Sequence, residues 1–361
     1  MLRKMYALLL AAAAAGGLSA TASPSAAQNA YVANRNSDSV SVINTTTNAN
    51  VTAILVGSAP RATGVSADGS RVYVANFTSS NVSVIDTATN TVVATIPVAA
   101  GGGASGLATS PNGARVYVVN YNTNNVSVID TATNTVVATI VVGGSPIGVA
   151  VSPDSSRVYV ASQATNSLNV INAATNTVIA SAAIGSNPVG VTVSPNGGRV
   201  YVGNQGGGVS VIDTATNTLS ATFAPGLASS GLAISPDASK LYVTNNSGGT
   251  LSVINTSNGA TAATVAVGGN PYGVSVTPDG SRVFVANISS NNVSVLNTAN
   301  NIVVATVPVG NLPFSLGNFI QPAAVVASTP VPTMSEWALI FLGLTLAGGA
   351  ALDIQRRRLT A

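Results

Sequence analysis

SPIGVAVSPDSSRVYVASQATNSLNVINAATNTVIASAAIG, residues 145–185, holds four short Val- and Ile-rich segments: Gly148–Ser152, Arg157–Ala161, Leu168–Asn172 and Thr177–Ala182. Each alternates with a period of two, which sends successive side chains to opposite faces and marks a strand. Gly, Pro, Asn, Asp and Ser bound the segments. Between the first and second lies Ser152-Pro153-Asp154, and between the third and fourth Ala173-Ala174-Thr175-Asn176. Pro presets φ, Asp caps its own turn, and Asn accepts a positive φ, so both connections suit tight hairpins. The stretch reads as four antiparallel strands, in order A, B, C and D.

The unit recurs. Tyr31-Val32-Ala33-Asn34 returns with small variations at Tyr73, Tyr117, Tyr159, Tyr201, Tyr242 and Phe284, at intervals of 42, 44, 42, 42, 41 and 42 residues. No helical periodicity interrupts the array. Four strands in about 42 residues, repeated seven times, fit the blades of a β-propeller. The two ends of the array support a ring. The first unit begins at strand B with Tyr31, while Pro313–Ile320, after the last strand D (Ile302–Val307), has the pattern of one more strand A. Joining that strand to the first unit removes two sheet edges that would otherwise stay unpaired. The expected fold is therefore all-β: a seven-bladed propeller of four-stranded antiparallel blades, closed by pairing the N- and C-terminal strands.

With Tyr242-Val243-Thr244-Asn245 and its Tyr-Val-Ala-Asn variants, the array resembles the YVTN family of β-propeller repeats of bacterial and archaeal surface and secreted proteins. The resemblance spans about residues 30–320. It implies a fold and an exported location, but no activity, because propellers host binding proteins and enzymes alike.

Both ends of the chain read as targeting segments. Arg3 and Lys4 precede an apolar run and then small residues, with cleavage expected after Ala22 or Ala27; residues 1–27 form a signal peptide. The expected propeller occupies 28–322, a linker 323–330, and a C-terminal segment 331–361. That last segment contains Pro332, Thr333, Ser335, Glu336 and Trp337, then an apolar stretch, then Arg356-Arg357-Arg358. As a helix, Trp337–Leu352 is 16 residues, roughly 24 Å against a hydrocarbon core of ~30 Å, a marginal transmembrane span. The Arg cluster would stay cytoplasmic and leave the propeller outside. The segment resembles the IPTL-type sorting signal of Gram-negative bacteria, with Val331 for the usual Ile and Met334 for the usual Leu. This resemblance implies an exosortase-like membrane protease as processing partner, and transient or permanent anchoring in the inner membrane before display on the envelope or release.

Composition narrows the chemistry. The net charge is +3, but removing leader and tail leaves eight basic residues and eight Asp. A neutral array gives no footprint for nucleic acid. With no His and no Cys, the chain offers no ligands of those types for a metal, and no cofactor is expected. Asp68, Asp154, Asp237 and Asp279 fall in A–B turns, and Asp86, Asp130 and Asp213 in C–D turns; Asn takes the same places elsewhere, which points to capping and not to acid–base work. Arg71, Arg115, Arg157, Arg199, Lys240 and Arg282 share the start of strand B and are expected to pair with nearby Asp. The Asn that ends strand B is expected to cap a turn, with Ser162 the exception.

The repeats differ on one face only. The A–B and C–D turns are nearly identical between blades, whereas the D–A and B–C loops vary. Arg61, Ser105, Ile147, Val189, Ser230, Tyr272 and Phe314 stand at the channel-mouth position of the D–A loops, and Phe77 and Tyr121 open two of the B–C loops. Arg35, Asp38 and Arg61 are the charges that no repeat position explains. Arg35, Arg61, Phe77, Tyr121, Tyr272 and Phe314 are therefore the candidate ligand-binding residues of a non-catalytic adhesion or binding propeller, whose partner is a surface protein or polysaccharide. A structural surface-layer element and an exported lactonase-like enzyme are the alternatives.

Overall fold

The computed structural model describes residues 28–224 and 228–322; the leader and the sorting segment, with its expected helix, lie outside them. Six sheets have four strands in sequence order and one has three. The second blade is typical: Pro60–Val65, Arg71–Asn76, Asn81–Asp86 and Thr91–Pro97 run antiparallel from the channel to the rim. The four segments read from residues 145–185 match strands Pro146–Val151, Arg157–Ser162, Ser167–Asn172 and Thr177–Ala183.

The three-stranded sheet, Asn29–Asn34, Ser39–Asn44 and Asn50–Leu55, is completed by the C-terminal end of the array. The Tyr31 N–H donates to Phe319 O at 2.7 Å, the Phe314 N–H to Ala33 O at 2.9 Å, and the Gln321 N–H to Asn29 O at 3.0 Å. The ring thus closes as the sequence predicts. The closing segment also bridges in parallel to the next blade: the Leu316 N–H donates to Arg61 O, and the Thr63 N–H to Leu316 O.

Strands B and C are buried along both faces, because each blade is covered by its two neighbours. Tyr31, Tyr117, Tyr159, Tyr201 and Phe284 fill the spaces between blades and are among the largest fully buried side chains. This explains the recurring aromatic that opens the tetrapeptide. Strand D lies on the rim and is mostly exposed. In each blade the C–D pairing shifts register at one place, as between Val84 and Ile85 or Val170 and Ile171. Such bulges increase local twist, which a radial stack of sheets requires.

Glycine sets how closely the innermost strands approach. A Cβ on Gly148 would lie 1.9 Å from Val189 O, one on Gly231 2.0 Å from Tyr272 O, and one on Gly106 2.0 Å from Ile147 O. Each glycine lets one blade's backbone sit against the next blade's carbonyl.

Two expectations need correction. The Asn at the end of strand B is not a solvent-facing turn cap. Asn120 is fully buried and donates to Asn125 Oδ1 at 2.8 Å and Ser127 Oγ at 2.9 Å, tying strand B to strand C. Asn34, Asn76, Asn245 and Asn287 do the same with Ser41, Ser83, Ser252 and Ser294. In the fourth blade the pair is reversed: Asn169 on strand C donates to Ser162 on strand B at 2.8 Å. The exception at Ser162 is thus an exchange of partners with the same hydrogen bond.

The second correction concerns the shared cations. Only Arg71 and Arg115 pair with Asp, using Asp86 and Asp130. Arg157 reaches Thr214 O at 2.5 Å, Arg199 reaches Thr256 O at 3.1 Å, and Arg282 reaches Thr45 O at 2.5 Å. Those contacts strap one blade to the next, and the last of them crosses the ring closure.

Candidate functional site

The six residues selected from the sequence lie together at the loop-face end of the channel. The innermost strand of the second blade, Pro60–Val65, presents Arg61 as its second residue, so the mouth position lies within strand A and not in the D–A loop expected from the sequence; the B–C loop presents Phe77 beside it, because the register brings Pro60 opposite Asn76. The guanidinium carbon of Arg61 sits 3.4 Å from the centroid of Phe77 and 5.6 Å from that of Phe314. Phe77 continues to Tyr121 at 6.3 Å, with the rings tilted by 53°. Phe314 continues to Tyr272 at 4.1 Å, tilted by 36°. Tyr121, Phe77, Arg61, Phe314 and Tyr272 therefore form one unbroken row across four consecutive blades. Contacts of this kind are worth about 0.5–2 kcal/mol each when partly desolvated.

Burial separates the members of the row. Tyr272 is 7% exposed and belongs to a core cluster with Ile147, Val189 and Leu316. Phe314 and Tyr121 pack on that cluster from outside and remain partly exposed, as do Arg61, Phe77 and Arg35. Tyr272 thus supports Phe314 from beneath, and the others form the surface. Ile288 also packs here; it stands at the repeat position of Phe77 and Tyr121, which is the signal that could have added it to the site. Ser105, Val189 and Ser230, from the same mouth position, are buried and fill the channel end.

The electrostatics are unusual for so neutral a domain. Burial, and then the charge of Arg35, lower the pKa of Arg61 to about 10, while burial raises that of Tyr272 to about 12. The Arg61 Nε–H is buried with no acceptor. Among the described residues the ion pairs are Arg71–Asp86 and Arg115–Asp130, so Arg35 and Asp38 form none. Asp38 instead accepts the Ala59 N–H at 2.8 Å.

Carboxylates elsewhere are occupied. Asp154 accepts the Ser152 hydroxyl at 2.6 Å and the Ser156 N–H at 3.0 Å, and Asp86 accepts the Ala88 and Thr89 N–H groups. Among the described residues no group of three acidic, His or Cys side chains could hold a metal. On the turn side of the mouth lies a cavity of about 660 Å³, lined by Gly64–Ala67, Gly148–Val151 and their counterparts, down to Pro322.

Residues 96–198 match the family model of the YNCE-like beta-propeller, and residues 329–358 match the IPTL-CTERM motif. Both resemblances read from the sequence, a repeat propeller and an IPTL-type C-terminal signal, thus stand. Among solved structures the chain is similar to Kuenenia stuttgartiensis hydrazine synthase, at 22% identity and a TM-score of 0.66, covering 74% of this chain and 96% of that one. It is also similar to a functionally unknown protein from Desulfotomaculum acetoxidans, at 18% identity and a TM-score of 0.72, covering 82% of this chain and 99% of that one. At these identities the likeness concerns the fold alone. No curated protein sequence matches the chain.

Proposed function

We propose that this chain is an exported, non-catalytic binding propeller of the bacterial cell envelope, displayed on the surface or secreted, which holds its partner with the loop face. The observation that carries this reading is the Arg61-centred aromatic row, built from the unrepeated residues of four blades. Aromatic and Arg side chains dominate interface energies. A non-catalytic role is supported by the absence of His and Cys and by the use of the turn Asp residues as caps. The IPTL-CTERM motif supports export and processing by an exosortase-like protease. The described chain also begins and ends on the turn face: Gln28 O accepts the Thr45 hydroxyl, and Gln321 Nε2 donates to Gly69 O. The loop face is the opposite one.

The test is a pull-down with envelope protein and polysaccharide fractions, comparing the native protein with Arg61→Ala. Retention of a partner that the variant loses supports the reading. Equal retention by both moves the partner off the loop face. Processing has its own readout, because Trp337 is the only Trp: processed protein shows tyrosine emission alone.

A second reading, a structural surface-layer element, draws support from the rim. There Val93 is 52% exposed, Val137 51% and Val141 77%, on outer strands with one free edge. Self-association in sedimentation runs that is unaffected by Arg61→Ala would favour it.

A further inference from the structure

Eight cations lie in the propeller, and six of them have hydrogen-bond partners within it. Arg71 and Arg115 use Asp, Lys240 uses Asn255, and Arg157, Arg199 and Arg282 use carbonyls of the next blade. Arg35 and Arg61 make no side-chain hydrogen bond or ion pair among the described residues. Both lie at the same mouth, close enough for Arg35 to act on Arg61, and Asp38 accepts the Ala59 N–H and forms an ion pair with neither. Two unneutralised guanidinium groups of like charge on an apolar support are unfavourable in the free protein. A bound anion would relieve that repulsion and supply the acceptor that neither guanidinium has.

The support specifies more than charge. Beside Arg61 stand the part-exposed rings of Phe77, Phe314 and Tyr121, with the Tyr121 hydroxyl toward Gln163. Such rings stack on the C–H face of a pyranose, and a guanidinium takes a planar carboxylate in two parallel hydrogen bonds. A uronic acid carries both groups on one ring. Two cations are too few to neutralise the phosphate backbone of a nucleic acid in an otherwise neutral array.

Resting on the binding reading above, we propose that the loop-face mouth binds a uronic-acid polysaccharide, with the carboxylate on Arg61 and Arg35 and the sugar face on the adjoining aromatic row.

The experiment is calorimetric titration of the purified protein with polygalacturonate, alginate and hyaluronan, and with the carboxyl-reduced form of each. The expected result is binding to at least one uronate polymer, weakened about tenfold or more by carboxyl reduction and weakened by added salt. Arg61→Gln and Arg35→Gln should each lower affinity by about fivefold or more, while Thr89→Ala on the turn face leaves it unchanged. If Arg61→Gln does not fold, Arg35→Gln decides alone, because Arg35 lies outside the ring stack. Failure of every uronate polymer to bind, or equal binding of a carboxyl-reduced polymer, overturns the proposal. So does an Arg35-dependent preference for acidic peptides, which would make the partner a protein. A loop-face partner recovered in the pull-down with no uronate binding would leave the binding reading standing and remove this inference alone.

Discussion

The turn face and the loop face of this propeller are made by the same strands, yet they spend their polar groups differently. On the turn face the Asp and Asn that cap the A–B turns are satisfied locally: Asp68 takes the Ser66 and Ser70 hydroxyls, and Asn112 takes the Ser110 hydroxyl and the Ala114 N–H in the same geometry. On the loop face Arg35 and Arg61 have no such partner, and the aromatic side chains there appear in some blades only. A repeat can be closed upon itself where every unit solves the same problem. Groups left over once that problem is solved are the ones available to a partner.

The strongest way to break this comparison lies at the boundary between the faces. Gly148→Val places side-chain atoms where Val189 O already stands. Blade four and blade five would have to part, at a cost of about 3 kcal/mol or more. Urea unfolding should show a large drop in midpoint, with the loop-face row disordered as well. An unfolding midpoint equal to that of the native protein would mean that the glycine ring does not set the blade spacing.

A smaller effect tests how the repeats are pinned beneath the loops. Asn120→Ala removes one buried and one part-buried hydrogen bond and leaves Ser127 Oγ without its donor, a loss of about 1–3 kcal/mol. The double variant Asn120→Ser, Ser127→Asn copies the arrangement of Ser162 and Asn169 and should recover most of that loss. If the double variant is no more stable than Asn120→Ala, the two orientations are not equivalent, and the fourth blade is special for another reason.

For binding, the contrast between faces becomes quantitative. Arg61→Ala or Tyr121→Ala should weaken the native partner by more than about 1 kcal/mol with secondary structure unchanged. Asp130→Asn and Thr89→Ala, on the turn face, should leave affinity as it was. Circular dichroism with a binding isotherm for each variant checks both halves. Loss of binding in the turn-face variants alone would reverse the assignment of faces and favour self-packing.

Much of this was legible beforehand. Alternation in residues 145–185 placed four strands to within two residues, and the orphan strand at Pro313–Ile320 foretold the closure. The residues that meet at the mouth were identified by their failure to repeat. What the sequence withheld were relations between blades. That Arg61 stacks on Phe77 and Phe314 depends on how far apart neighbouring inner strands stand, which no single repeat encodes. The buried Asn–Ser pair had a visible trace, since Ser162 and Asn169 exchange types seven residues apart, but burial had to be known before the exchange meant anything. The reach of Arg157 and Arg282 into the next blade follows a similar cue: Asn172 and Asn297 stand where Asp86 and Asp130 pair with Arg71 and Arg115.

The smallest expected effect is on acid stability, and it belongs to the turn face alone. The Ser152 hydroxyl and then the Ser156 N–H hold Asp154 down to about 2, and the Ser235 hydroxyl and Ser239 N–H do the same for Asp237. A carboxylate with a folded pKa below its unfolded value stabilises the fold fully above about pH 4. That contribution is lost as the pH falls from about 4 toward 2. Both groups are solvent-exposed, so screening keeps the effect modest. With no His in the chain, the melting temperature should be nearly flat between about pH 5 and 8 and then fall on the acid side. Asn already occupies this turn position at Asn112 and Asn196, accepting the same kinds of hydrogen bond without titrating. Asp154→Asn with Asp237→Asn should therefore make the acid limb shallower while leaving loop-face binding at neutral pH untouched. An acid limb as steep as that of the native protein would show that these two caps do not govern it and that the remaining turn carboxylates do.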